Sequence, residues 1–531
     1  MRSFKHPYLF FFILGMLFVT KIVVGQHKNL PLNFNLNQQL EYNYVVNYDT
    51  NTIVHTASKP LVETFVDAQY YASIYNDTNK YYYAFTEKLF QKNLLSVEEK
   101  ELKLVADPLF NIAKGYTSNG DTAITISNNI RGVRVAGDIT NKFSFETRVY
   151  EAQFFYPMYL DSIADYKTTA LGFGRSKTFK GRGHDVAMSM GYVSYSPTKH
   201  INLQFGHGKH FIGNGYRSLL LSDNTAPAPY LSFTTQFFKN KIQYKNINTW
   251  MQTLTRLPVT NSAEALFKRK GASFRYLSFA LVKNLQFGLF EGVIHQNYVD
   301  SVGQVPLNAS FYIPVIGVAS VVAKANSSNA LLGANISYQL RNSFLLYGQV
   351  AYDEVGKKTK LGTQIGLKWY NVGAVKNSWV QVEYNSVPNF MYSTTSSTIL
   401  QNYVHTNQEL AHPLGSGFSE LLLIGHAEYD RVLLTAKMVF QQQNNLDSLG
   451  LGTNILLANN LPKVGEEVKT NTILSGLECS YLFNRKTNMQ LFGNYYYRSS
   501  VSKQATKVSS KFESFWQIGF RTTLINQYRD I

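Results

Sequence analysis

A chain of 531 residues with a formal charge of +17, 14% aromatic and 16% charged residues departs from soluble domains, in which about a quarter of residues are charged. Its one cysteine, Cys479, excludes an internal disulfide framework, and no Cys/His cluster gives a sequence sign of a metal site. The basic residues are scattered rather than blocked, which argues against nucleic acid and points to acidic partners such as lipopolysaccharide phosphates or acidic glycans.

The chain opens like a secretory signal over residues 1–25. Arg2 and Lys5 precede an apolar run from Tyr8 to Val19, and Val23-Val24-Gly25 offers a cleavage site before Gln26. That run is too short for a spanning helix; an uncleaved anchor is the alternative. Residues 26–100 read as a leader with short helices, lying in the periplasm or plugging a lumen. Within it 26–57 is Asn- and Leu-rich with weak alternation. Pro60–Tyr75 and Tyr82–Leu95 carry apolar residues at mixed helical spacing, and Ser96-Val97-Glu98-Glu99 predicts a further helix start.

From residue 101 to 531 the rhythm is period two. Val380, Val382 and Tyr384 alternate with Gln381, Glu383 and Asn385. Val186, Met188, Met190 and Tyr192 alternate with Asp185, Ala187, Ser189 and Gly191. Phe512, Trp516, Ile518, Phe520 and Leu524 share a face opposite Lys511, Glu513, Gln517 and Arg521. The apolar faces suit lipid and the polar faces a lumen. Short polar connectors at Lys239-Asn240, Lys283-Asn284, Arg341-Asn342, Asp430-Arg431 and Asn484-Arg485-Lys486 predict tight turns at one end. Longer loops near 206–228, 299–329, 388–416 and 445–470 lie at the other. With no apolar run of about twenty residues after the leader, the expected fold is all-β. It is a transmembrane antiparallel barrel of about 18 strands with a small N-terminal helical element, in the outer membrane and monomeric. Cys479 falls in an alternating strand and reads as a small packed or lipid-facing residue. A large secreted β-protein is the competing class.

The stretch Gly206–Tyr230 stands apart. Four glycines, at 206, 208, 213 and 215, suit positive φ and close packing, and Pro227 and Pro229 close it in extended structure. Gly208 and Gly213 have the spacing of a phosphate loop, but Asn214-Gly215 stands where Lys-Ser/Thr is needed. The dinucleotide pattern fails at Phe211. Nucleotide binding is therefore set aside.

Gly213-Asn214-Gly215-Tyr216-Arg217-Ser218-Leu219, Leu221-Ser222-Asp223-Asn224 and Pro227-x-Pro229 resemble the signature loop of the Wzi family of capsule-assembly outer-membrane proteins. They also resemble that of the related RemB-type gliding-motility proteins of the Bacteroidota. The likeness resumes at Lys88-Leu89-Phe90, at Asp107-Pro108-Leu109-Phe110-Asn111, across Phe311–Glu354 and at Asn407–Gly415. It implies an 18-strand barrel with leader helices. The Wzi side implies binding and organisation of capsular polysaccharide; the RemB side implies gliding or export machinery as the partner.

From the residues themselves, Lys209, Phe211, Tyr216, Arg217, Asp223 and Asn224 are glycan-binding or loop-shaping candidates. Sugar sites join aromatic platforms to polar forks, while Arg217 and Asp223 also suit a loop-fixing ion pair. His207, Ser222 and Asn224 have the chemistry of a hydrolase triad, but nothing in the sequence brings them together. His412 before Pro413 reads as loop packing. The expectation is a binding protein with no cofactor and no catalysis, with surface polysaccharide, lipopolysaccharide and membrane lipid as partners. A porin or solute transporter is the alternative.

Overall fold

The computed structural model describes residues 28–47, 53–66, 68–75, 77, 81–258, 265–325, 328–355, 358–522 and 525–531. The signal-like segment 1–25 and Leu524 lie outside them. Eighteen antiparallel strands close on themselves. In chain order they are β1 Leu102–Ser118, β2 Ala123–Ile139, β3 Phe143–Phe155, β4 Gly183–Thr198, β5 Ile201–Gly208 and β6 Ala228–Phe237. Then come β7 Ile242–Arg256, β8 Phe267–Val282, β9 Leu285–Gln296, β10 Asn329–Leu340, β11 Phe344–Val355 and β12 Lys358–Tyr370. The wall ends with β13 Ser378–Val387, β14 Phe418–Tyr429, β15 Val432–Asn445, β16 Val468–Asn484, β17 Met489–Gln504 and β18 Lys507–Arg521. β18 pairs with β1, Ser514 opposite Ser118, and completes the cylinder.

Alternation decides which residues face lipid. Gln381, Glu383 and Asn385 are fully buried inside, while Tyr384 is exposed outside. Phe512, Trp516 and Ile518 are likewise exposed on the outer face of β18, as is Cys479 on β16. An apolar outer wall with every strand paired is the condition for crossing a bilayer without a helix. This is an outer-membrane barrel. No described helix is long and apolar enough to cross a membrane. The tight turns gather at one end: Asp430 has φ 51°, Arg341 has φ 54°, and Lys239 and Asn240 have φ 57° and 65°. In barrels of this kind that end is periplasmic and the long loops are extracellular.

Two expectations need correction. The alternation of Val186, Met188, Met190 and Tyr192 is real, but this apolar face points inward: Val186 and Met188 are buried in a core with Leu160, Ala164 and Phe173, while Ala187 and Ser189 face out. The lumen there is packed with protein rather than water. Ser96–Glu99 starts no helix; Leu95–Glu98 is a short strand on the periplasmic extension of β1. Helices in the leader are α1 Phe34–Val46, α2 Ala68–Ile74 and α3 Ala84–Phe90. Helix α4, Met158–Lys167, belongs to the loop between β3 and β4.

The lumen is filled by five segments: the leader residues 28–47 with 53–66, the loops 156–182, 209–227 and 388–417, and the tail 525–531. They lock to one another. Ser58–Lys59 pairs as a two-residue sheet with Phe211–Ile212, and the Gly213 N–H donates to Ala57 O at 2.8 Å. The Ser222 N–H donates to Leu410 O at 2.7 Å, and the Tyr403 hydroxyl to Leu220 O at 2.7 Å. Helix α1 is buried among polar walls: Glu41 pairs with Lys368 of β12, and Asn214 donates to Glu41 at 3.0 Å.

Candidate functional site

The loop 209–227 is held by acceptors on the wall. Glu383 of β13 accepts the N–H groups of Tyr216 at 2.8 Å and Arg217 at 3.1 Å, and Gln349 of β11 accepts that of Leu219 at 2.9 Å. The backbone passes so near the wall that a Cβ on Gly215 would lie 2.5 Å from Glu383 Oε2, and one on Gly213 2.4 Å from Gln349 Nε2. Gly213 also has φ 147°. Of the four glycines in this stretch, Gly213 is the one that takes positive φ; Gly206 and Gly208 sit in strand β5.

All six loop candidates are placed by this packing. Phe211 is buried beneath the Lys59 ammonium, 5.1 Å from its ring centre. Lys209 donates to Gly172 O at 2.6 Å. Burial pushes its ammonium down to about 8, against the opposing pull of Asp223. Asn224 bonds within the loop and to Glu409 O. The Arg217–Asp223 pair does not form. Asp223 accepts from the Tyr528 hydroxyl at 2.6 Å and Asn526 Nδ2 at 2.8 Å. Arg217, 1% exposed, instead reaches Glu420 of β14 at 3.4 Å and Asp530 at 3.2 Å, and donates to Asp530 O at 2.6 Å. The physical reason is the tail: it returns into the lumen and offers Asp530 to Arg217, and Tyr528 and Asn526 to Asp223. Lys437 of β15 closes the network on Asp530 at 2.6 Å, and His412 closes it on Glu420 at 2.8 Å. Burial works against the Arg217 charge, but Asp530 and Glu420 outweigh it and hold the guanidinium protonated. Burial alone would raise the Asp530 carboxyl; Arg217 and Lys437 keep it below its ordinary value. His412 is held low by burial, with Glu420 pulling the other way.

Beneath this network lies a cavity of about 230 Å³ that opens toward the periplasmic end. Its aromatic walls are Phe34 at the start of α1, Tyr216, Tyr496 and Tyr528. Phe34 meets Tyr216 edge-on at 4.9 Å, and Tyr216 meets Tyr528 at 5.4 Å. Lys437 lies over the Tyr216 ring at 4.3 Å and donates to its hydroxyl at 2.7 Å. The polar rim combines Arg521, paired with Glu478 at 2.6 Å and bonded to Gln490 at 3.0 Å, with Arg485, paired with Glu428 at 2.8 Å. Arg529 bonds the amides of Gln517 and Gln527 and has no carboxylate at ion-pair distance among the described residues. Ring faces beside guanidinium and amide forks are the chemistry that holds a sugar ring and its acid group. Of the sequence candidates, only Tyr216 lines this cavity. Lys209 and Asp223 line a smaller one of about 80 Å³ beside Tyr230.

The residues that sequence reading missed come from the tail and the last strands. The signal available was composition: after β18 the chain runs Asn526-Gln527-Tyr528-Arg529-Asp530, polar and aromatic. Its place in the lumen is a tertiary fact with no local trace.

No family model matches the sequence, and no curated protein matches it by sequence. Among solved structures the chain is similar to Wzi, an outer membrane protein involved in group 1 capsule assembly in Escherichia coli and a carbohydrate-binding β-barrel. The two share 11% identity over 93% of this chain and 99% of that one, with a TM-score of 0.54. It is also similar to OprD of Pseudomonas aeruginosa, at 11% identity over 78% and 95% and a TM-score of 0.42. A third similar structure is OccAB2 of Acinetobacter baumannii, at 10% identity over 79% and 97% and a TM-score of 0.42.

Proposed function

We propose that this barrel binds an acidic cell-surface polysaccharide and holds or helps assemble it at the outer membrane, without serving as a solute channel. The observation that carries this reading is the filled lumen: five segments interlocked by buried ion pairs leave a sugar-sized cavity in place of a pore. An open porin needs a water-filled lumen, and this interior is built of side chains bonded across it. The barrel architecture shared with Wzi, which binds carbohydrate, supports the same direction. The excess of Lys and Arg over Asp and Glu in the sequence favours an acidic glycan. The aromatic and guanidinium walls of the cavity suit one acidic sugar unit. Its periplasmic mouth suits a chain met before or during its delivery to the surface.

The test compares cells with and without the gene for polysaccharide retained in the pellet against polysaccharide released to the medium. Release should rise in the deletion and return to the wild-type level on complementation. Equal retention, together with slower uptake of small solutes in the deletion, would favour a transport channel instead.

A further inference from the structure

The loop between β9 and β10 does not stand above the barrel. Its residues fold down over the outside of the wall. The register places Asn246 opposite Arg275, Asn248 opposite Ser273, and Arg275 opposite Glu291, and Glu291 opposite Leu332. These share one face with Phe287, Leu289, Leu332 and Ile336, which are exposed on the lipid side. The other face of the same strands, with Phe274, Tyr276 and Phe290, packs into the lumen beside Leu220 and Tyr403. A lipid-facing wall therefore carries an arginine, a glutamate and two asparagines in mid-strand, where an uncovered charge is destabilising.

The loop covers them. Arg275 and Glu291 are both fully buried and pair at 3.0 Å. The Arg275 guanidinium donates to Ser310 O at 3.0 Å and Ile313 O at 2.8 Å. The Ser320 N–H donates to Glu291 at 2.8 Å. Asn248 donates to Phe311 O, and the Tyr244 hydroxyl to Pro314 O at 2.8 Å. Tyr244 lies one outward position from the periplasmic start of β7, so the loop descends over more than half the wall. Apolar packing follows the same path. Phe311 is fully buried against Trp250 and His295, and helix α5, Val318–Ala325, sets Ala319 and Ala323 on Val293.

The side turned away from the wall is apolar. Tyr312 is 61% exposed, Val315 51% and Val321 73%, and no charged residue occurs from Ser301 to Ala323. An extracellular loop in water has no cause to lack charge over such a length, nor to present these side chains outward. The patch is continuous with the lipid-facing belt formed by Phe287, Leu332 and Ile336. We infer that residues 305–325 form a re-entrant element embedded in the hydrocarbon of the bilayer, whose partner is the acyl chains of the lipid. The Arg275–Glu291 pair and the two asparagines are its latch: they satisfy the irregular backbone carbonyls and N–H groups that could not otherwise enter hydrocarbon.

The test places a fluorescent label on Val321→Cys, and separately on Val315→Cys, in a Cys479→Ser background reconstituted in phosphatidylcholine vesicles. Asp300→Cys serves as the extracellular control. Brominated lipid should quench both loop labels at least twofold and leave the Asp300→Cys label unaffected. A membrane-impermeant maleimide should modify Asp300→Cys at least tenfold faster than Val321→Cys. Maleimide reaction of both loop cysteines at the control rate would overturn the inference by placing the loop in water. Protection from maleimide without lipid quenching would equally overturn it, because a second protein copy would then be the occupant.

Discussion

Replacing Arg217 by Leu should open the lumen without dissolving the barrel. Arg217 is 1% exposed and faces two carboxylates, Glu420 and Asp530, balanced on the far side by Lys437. Removing the guanidinium leaves two buried acids against one lysine. Breaking a buried pair in this way costs about 3–5 kcal/mol. The wall strands keep all their ladder bonds, so the cost falls on the packing of the loop 209–227, the tail and the wall. At about 1.4 kcal/mol per tenfold, the ratio of closed to open lumen should fall by roughly two to three orders of magnitude. In planar bilayers the wild type should be nearly silent and Arg217→Leu should show frequent openings, while both stay heat-modifiable on gels. The triple variant Arg217→Leu, Glu420→Gln, Asp530→Asn removes the uncompensated charge and should recover part of the silence. An Arg217→Leu barrel as quiet as the wild type, with unchanged amide exchange in the loop and tail, would refute the claim that this network holds the lumen shut.

Acid should loosen the filling. Burial holds His55 and His405 down to about 4, chiefly against the hydrogen bond that the first ring donates to Asn240 O and the second to Pro227 O. A histidine whose folded value is depressed contributes stability that is full above pH 6.5 and is lost as pH falls toward 4, at about 2 kcal/mol each by pH 5. Protection factors of the amides in 388–417, referred to the intrinsic exchange rate at each pH, should fall between pH 6.5 and 4.5, and unchanged protection factors would count against the burial of these rings. Gly213→Ala forces a Cβ against Gln349 and into strained backbone, and should lower stability by about 1–3 kcal/mol, read as a lower heat-modification temperature. Arg529→Gln should cut polysaccharide retention severalfold while leaving the bilayer silent, because its charge faces the cavity without an acid partner; retention equal to wild type would remove the cavity from the account.

Much of the wall is written locally. Asp430-Arg431 and Lys239-Asn240 turn tightly with positive φ, and the Val380–Asn385 alternation alone assigns inside and outside there. The same logic failed at Val186–Tyr192 because alternation tells two faces apart but not which one meets lipid; α4 and its loop fill that part of the lumen. Helix α1 escaped notice for a related reason. Leu36, Leu40 and Val45 are buried, but so are Asn37, Gln38, Glu41 and Asn43, so a helix inside a polar lumen shows no apolar stripe. The loop Gly206–Tyr230 announced its shape through its glycines, yet the true partner of Arg217 lies 313 residues away, beyond any reading of spacing. The re-entrant loop left a trace in the uncharged run from Ser301 to Ala323, but its latch depends on register across three strands.

Binding in place of conduction is tested most directly by titration of the purified barrel in nanodiscs with polysaccharide released from the same cells. Saturable binding that weakens as salt is raised from 50 to 500 mM, in the manner of screened charges, is the predicted result. No binding at any salt concentration would contradict it.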